Sequence, residues 1–166
     1  YLKNQKVNSK ILANESIYFE RNLMNENVGW QDQIACSYGG FNNIVFKNNS
    51  FNVKPIKCSK NFINDLNQNL YLIYTGITRT AQKIANSYTN NLVSQKKKNI
   101  KRMLEIVAEA KKIIKSENSD DFGYLLHETW MEKKYLSESI SNNKIDYLYS
   151  SGVKNGAIGG KLLGAG

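Results

Sequence analysis

The segment Gly29-Trp-Gln-Asp-Gln-Ile-Ala-Cys-Ser-Tyr-Gly-Gly40 constrains the fold more than any other part of the chain. Glycine has no Cβ and enters the left-handed backbone region freely, so Gly39 and Gly40 stop a helix that starts after Gly29. The lone carboxylate of that short helix, Asp32, sits between two glutamines. This is the setting of a catalytic acid rather than of a solvated one. A second glycine cluster, Gly156-Ala-Ile-Gly-Gly-Lys-Leu-Leu-Gly-Ala-Gly166, gives the backbone room to curl tightly against a ligand.

Periodicity supplies the rest of the architecture. Ile11, Leu12, Ala13, Ile17, Phe19 and Leu23 recur at roughly helical spacing, which predicts a helix over residues 9–23 that ends near Asn25-Glu26-Asn27. Ile44-Val-Phe46 and Phe51-Asn-Val-Lys-Pro-Ile56 flank Asn48-Asn49-Ser50, the pattern of a hairpin, with the single proline, Pro55, tolerated near a strand end. Leu70-Tyr-Leu-Ile-Tyr74 reads as a further strand that breaks at Thr75-Gly76. Three helical patterns follow. They run through Ile77, Ala81, Ile84, Ala85, Tyr88 and Leu92, then Ile100, Met103, Leu104, Val107, Ala110 and Ile114, then Phe122, Leu125, Leu126, Trp130 and Leu136, the last with Ser119 or Asp120 as N-cap. A short fourth helix is predicted over residues 145–153. Strands followed by a helical run give an α+β class.

Charge and composition exclude several function classes. Lysine and arginine number 23 against 14 acids, for a net charge of +9. The lysines are scattered, and only Lys96-Lys97-Lys98 forms a run, which reads as a solvated helix face. No zinc-finger spacing or RNA-binding aromatic motif accompanies the charge, so a nucleic-acid partner is not expected. Cys36 and Cys58 lie in no metal-ligand spacing and fit a reducing cytoplasmic setting, with Cys36 read as a small buried apolar residue. With His127 the sole histidine, a Ser-His-Asp hydrolase or a histidine-based metal site has little to work with. No apolar run approaches the ~20 residues of a membrane span. The start at Tyr1 and the stop inside a glycine-rich turn read as part of something longer.

Glu20 and Asp32 form a candidate pair of carboxylates across a glycine-containing connection. Two converging acids suit phosphoryl transfer, one beside Mg²⁺ and the other orienting the attacking hydroxyl, whereas two surface acids that never meet would do neither. The terminal glycines do not form a Walker A loop, because position 155 is Asn and Gly160-Lys161 is followed by Leu162. Nor does a Gly-x-Gly-x-x-Gly fingerprint follow a strand.

Gly29-Trp-Gln-Asp-Gln33 with Gly39-Gly-Phe-Asn42, Tyr74-Thr-Gly-Ile-Thr-Arg79, and the 156–166 glycine segment together resemble the GHMP small-molecule kinases, and within them most the heptose 7-phosphate kinases. The resemblance implies residues 1–60 as the remainder of an N-terminal kinase domain and residues 61–166 as a ferredoxin-like α+β C-terminal domain. It implies ATP and Mg²⁺ as cofactors. Asp32 would be the catalytic acid acting on the sugar's anomeric hydroxyl, and Glu20 the Mg²⁺ ligand. Gly164, Ala165 and Gly166 would open the third motif beside the nucleotide, and Gly39, Gly40 and Arg79 would face the substrate. For Arg79 a plain surface position is the alternative, while in His127-Glu-Thr-Trp-Met-Glu-Lys133, which resembles the family's helix after the second long helix, Trp130 reads as core and Lys133 as solvated. The family's Gly/Ser-rich ATP loop lies upstream of the Glu20 helix and is missing from these residues, so the stretch as written is expected to be inactive. A small-molecule sugar phosphate is the expected partner of a monomer or homodimer. A non-catalytic sugar-phosphate-binding module and a kinase for fucose or galactose are the alternatives.

Overall fold

The computed structural model describes residues 7–79, 84 and 97–164. The chain forms two compact units that divide after Ile56. Helices and one small antiparallel sheet make it α+β.

In the first unit, helix α1 spans Ser9–Tyr18, and the Asn8 side chain caps it by accepting from the Ile11 amide at 2.9 Å. An N-cap of this kind stabilises a helix by about 1 kcal/mol. The helix continues as a π turn, Phe19–Leu23, in which the Met24 amide reaches back five residues to the Phe19 carbonyl at 2.9 Å. Asn25, with φ +53°, then breaks the chain away. Helix α2 spans Gln31–Tyr38 and packs on α1, with Ala13 and Ile34 fully buried.

Strands β1 (Asn42–Lys47) and β2 (Ser50–Pro55) form the predicted hairpin, with Ile44 opposite Val53 and Phe46 opposite Phe51. Asn48 and Asn49 both take positive φ, as a two-residue turn of the primed type requires. Two edge-to-face aromatic pairs hold α2 to this hairpin, Trp30 on Phe46 and Tyr38 on Phe51. Because Phe46 and Phe51 are cross-strand partners, the two ends of α2 are fixed through one rung of the hairpin.

The second unit is helical. Helix α3 (Lys60–Asn69) is capped by Ser59, whose own amide and hydroxyl both donate to the Glu117 carboxylate at 2.6 and 2.7 Å. Helix α4 spans Lys97–Ser116 and packs along α5, Ser119–Lys134. Asn118, not Ser119 or Asp120, caps α5: its carboxamide oxygen accepts from the amides of both Asp120 and Asp121. A 3-10 turn at Glu138–Ile140 leads to α6, Asn143–Lys154, the predicted fourth helix.

Trp130, 1% exposed, centres a core with Leu136, Ile140 and Ile145, so its core reading holds. Arg102 joins α4 to α5 by donating to Glu128 at 2.6 Å and to Glu109 at 2.7 and 3.1 Å.

Residues 70–74 depart from expectation. They follow α3 without joining a sheet, and Tyr71, Leu72 and Tyr74 are 83%, 87% and 85% exposed. A short apolar run favours an extended backbone, but a strand also needs a neighbour, and none is present among the described residues. Of the helix predicted through Ile77 and Leu92, Ile77 is described outside any helix and Ile84 in helical conformation, and the other positions beyond Arg79 lie outside the described residues.

Candidate active site

Asp32 lies in the first turn of α2, exposed, where the positive end of the helix dipole favours a carboxylate. Gln33 follows it about 100° further around the helix and is turned inward, only 6% exposed. Its Nε2 donates to Glu20 Oε2 at 2.5 Å. Carboxylate oxygens only accept, so the amide must present its nitrogen to Glu20. This leaves Gln33 Oε1 buried without a partner. The predicted Glu20 and Asp32 are thus carried on two packed helices that Gln33 ties together.

Glu20 is half-buried inside the π turn. Widened turns of this kind are frequent at functional sites, because they re-aim one side chain within an otherwise regular helix. The second carboxylate oxygen of Glu20 has no protein partner among the described residues. A hard anionic oxygen of this type fits Mg²⁺, which is commonly bound by one or two carboxylates with the remaining positions left to phosphates and water. The described residues hold no cluster of three or more metal-binding side chains.

Gly39 (φ +61°, ψ 172°) and Gly40 (φ +70°) form the corner after α2. A side chain at Gly39 would be strained by about 1–3 kcal/mol. Asn42 Nδ2 donates to the Gly39 carbonyl at 2.5 Å and closes the corner. An open depression of about 460 Å³ lies at the other end of α2, lined by Gly29, Trp30, Gln31 and the turn of the hairpin. Arg21 stacks over the Trp30 ring, with its guanidinium carbon 5.7 Å from the ring centre. Cys36, expected inside, is exposed: the buried side of this short helix is taken by Gln33 and Ile34.

In the second unit, Arg79 donates to the carbonyls of Ser139 and Ile140 at 2.8 and 3.1 Å and so holds the 3-10 turn. The glycine segment rests on α5 over residues 158–159. A Cβ placed on Gly159 would stand 2.1 Å from the Gly123 carbonyl oxygen and 2.8 Å from the His127 nitrogen, so only glycine fits. The His127 ring stacks on Tyr149, whose hydroxyl meets Nδ1, and burial pushes the Tyr149 phenol up from its usual range. Gly164 has φ +62°, while Ala165 and Gly166 lie outside the described residues.

The chain is 34% identical over 142 residues to a D-glycero-alpha-D-manno-heptose 7-phosphate kinase of Campylobacter jejuni, an alignment covering 83% of this chain and 41% of that protein. The chain is a homologue of sugar kinases. A bifunctional fucokinase/GDP-fucose pyrophosphorylase of Arabidopsis thaliana is 28% identical over 153 residues, 83% of this chain and 14% of that much longer protein. No family model matches the chain. The chain spans less than half the length of these curated relatives, both of which are sugar kinases by name.

Sequence reasoning names Asp32 and Glu20 as candidates but does not foresee the Gln33 hydrogen bond that ties the helix of one to the turn of the other. The signal was present in the sequence: a glutamine in the first turn of an amphipathic helix, on the side that packing must bury. The π turn left no comparable trace.

Proposed function

We propose that the protein is a sugar kinase that transfers the γ-phosphoryl group of ATP to the anomeric hydroxyl of D-glycero-D-manno-heptose 7-phosphate, a step toward a nucleotide-activated heptose. The observation that carries this reading is the 34% identity to a kinase of that name, found together with an exposed Asp32 fixed beside Glu20's helix. Phosphoryl transfer asks little covalent chemistry of a protein and depends mainly on positioning and charge. In this reading Asp32 accepts or orients the proton of the anomeric hydroxyl, and its own helix is immobilised at both ends by aromatic pairs.

Glu20 would hold Mg²⁺ through its open carboxylate oxygen, and the ion when bound offsets charge on the transferring phosphoryl group. Gly39 and Gly40 in the first unit are assigned to the substrate side. In the second unit, Arg79 is assigned to the substrate phosphate and Gly164, with Ala165 and Gly166, to the nucleotide side.

The test is incubation of the full-length protein, including any sequence that precedes or follows these residues in its reading frame, with ATP, Mg²⁺ and the heptose 7-phosphate, read by ³¹P NMR for a new anomeric phosphate. Its appearance supports the assignment. Turnover of L-fucose instead favours a fucokinase, the reading for which the second relative speaks. Saturable binding of the sugar phosphate without turnover favours a binding module.

A further inference from the structure

We infer that Gln33 is the positioning residue of the metal-binding carboxylate: it orients Glu20 so that one oxygen is held by the protein and the other stays open to Mg²⁺. The inference rests on the kinase reading and on Glu20 as ligand. Gln33 lies almost wholly inside the unit, and its Nε2 donates to Glu20 Oε2 at 2.5 Å. The rest of its amide gains nothing there, because Oε1 is buried without a hydrogen bond. A buried acceptor left orphaned costs stability, so packing alone would favour an apolar side chain of the same length. What the glutamine adds is a neutral donor aimed at one carboxylate oxygen.

Neutrality matters as much as the hydrogen bond. A lysine or arginine in this place would neutralise Glu20 and compete with a cation. An amide fixes the carboxylate rotamer and leaves its charge intact, as the hydrogen-bond partners of metal ligands commonly do. Position adds a second argument. Gln33 belongs to α2, the helix that bears Asp32, so its bond to Glu20 sets the separation of the two acids. The Ser37 hydroxyl donates to the Gln33 carbonyl at 2.7 Å and stiffens the same turn.

The test compares wild type with Gln33→Met, which keeps length and removes the donor, and Gln33→Glu, which keeps shape and sets two carboxylates against each other. The readouts are Mn²⁺ binding in the presence of ATP by electron paramagnetic resonance, thermal unfolding, and the Mg²⁺ concentration for half-maximal turnover. We expect Gln33→Met to weaken Mn²⁺ binding about 10- to 100-fold, to leave the KM for the sugar unchanged, and to keep or raise the unfolding temperature. Gln33→Glu should weaken Mn²⁺ binding at least as much. In a Glu20→Gln background, Gln33→Met should change Mn²⁺ binding no further, since the two side chains act as one unit.

Wild-type Mn²⁺ affinity in Gln33→Met, with affinity lost in Glu20→Gln, would overturn the inference and leave the kinase reading standing. Wild-type Mn²⁺ affinity in Glu20→Gln would remove Glu20 as a ligand and this inference with it.

Discussion

Gln33 and Glu20 are joined by a 2.5 Å hydrogen bond that spans thirteen positions of sequence and ties a π turn to the helix bearing Asp32. The exposed acid and the half-buried acid thereby keep different surroundings within one small unit. Asp32 faces solvent at a helix N-terminus, and Glu20 is held on one side only.

Asp32→Asn should lower turnover by about 100- to 10,000-fold, the usual worth of a positioned acid-base group. ATP affinity should stay at the wild-type value and the unfolding temperature should fall only slightly, because Asp32 is exposed and Asn forfeits only the favourable charge at the helix N-terminus, about 0.3–1 kcal/mol. Undiminished turnover would remove Asp32 from the chemistry.

Gly159→Ala should cost about 3 kcal/mol and detach the glycine segment from α5, since its Cβ would meet the Gly123 carbonyl at 2.1 Å and backbone cannot yield as a side chain can. Gly160→Ala is the matched control, for its Cβ meets only a Tyr149 ring carbon at an ordinary 3.9 Å. Hydrogen exchange of the α5 amides would report the difference.

The Lys134 ammonium, 2.6 Å from Asp146, together with the Ser141 hydroxyl holds the Asp146 carboxyl below its ordinary value of 3.8. A lowered folded-state value means that the stabilisation is fully present above about pH 4 and is lost as pH falls through the folded value. Lys134→Met should therefore destabilise the protein at pH 7, and the difference from wild type should shrink as pH falls through the folded value. Denaturant unfolding at a series of acid pH values would check the narrowing.

Leu72→Lys should reduce self-association without lowering stability. Residues 70–74 present an extended apolar run whose side chains are exposed on both faces, a ready template for edge pairing, and a charge on such a run opposes it. Light scattering as a function of concentration measures the effect, and equal scattering by the two proteins would exclude this run as the cause.

Local signals were legible in the sequence, and relations between distant residues were not. The hairpin was readable because Asn48 and Asn49 are the residues a tight turn needs, and α2 because Gly39 can end it. The cap of α5 lies one position before the expected Ser119 and two before the alternative Asp120, since all three residues cap well and only the geometry selects Asn118. Cys36 was placed inside on residue type, yet Gln33 takes the interior because Glu20 awaits it, a fact held thirteen residues away. Residues 70–74 carry the local pattern of a strand, whereas pairing is a property of the neighbour.

The π turn at Phe19–Leu23 accommodates one more residue per turn than an α-helix does. Loss of a single codon within it would leave a well-formed helix and no unsatisfied amide. It would also swing everything upstream by about 100° relative to Glu20, carrying Ala13 off the buried face of α1. In a mutational scan of this region, one-residue deletions should therefore be far more damaging than substitutions at the same positions other than Glu20, because the turn fixes helical phase.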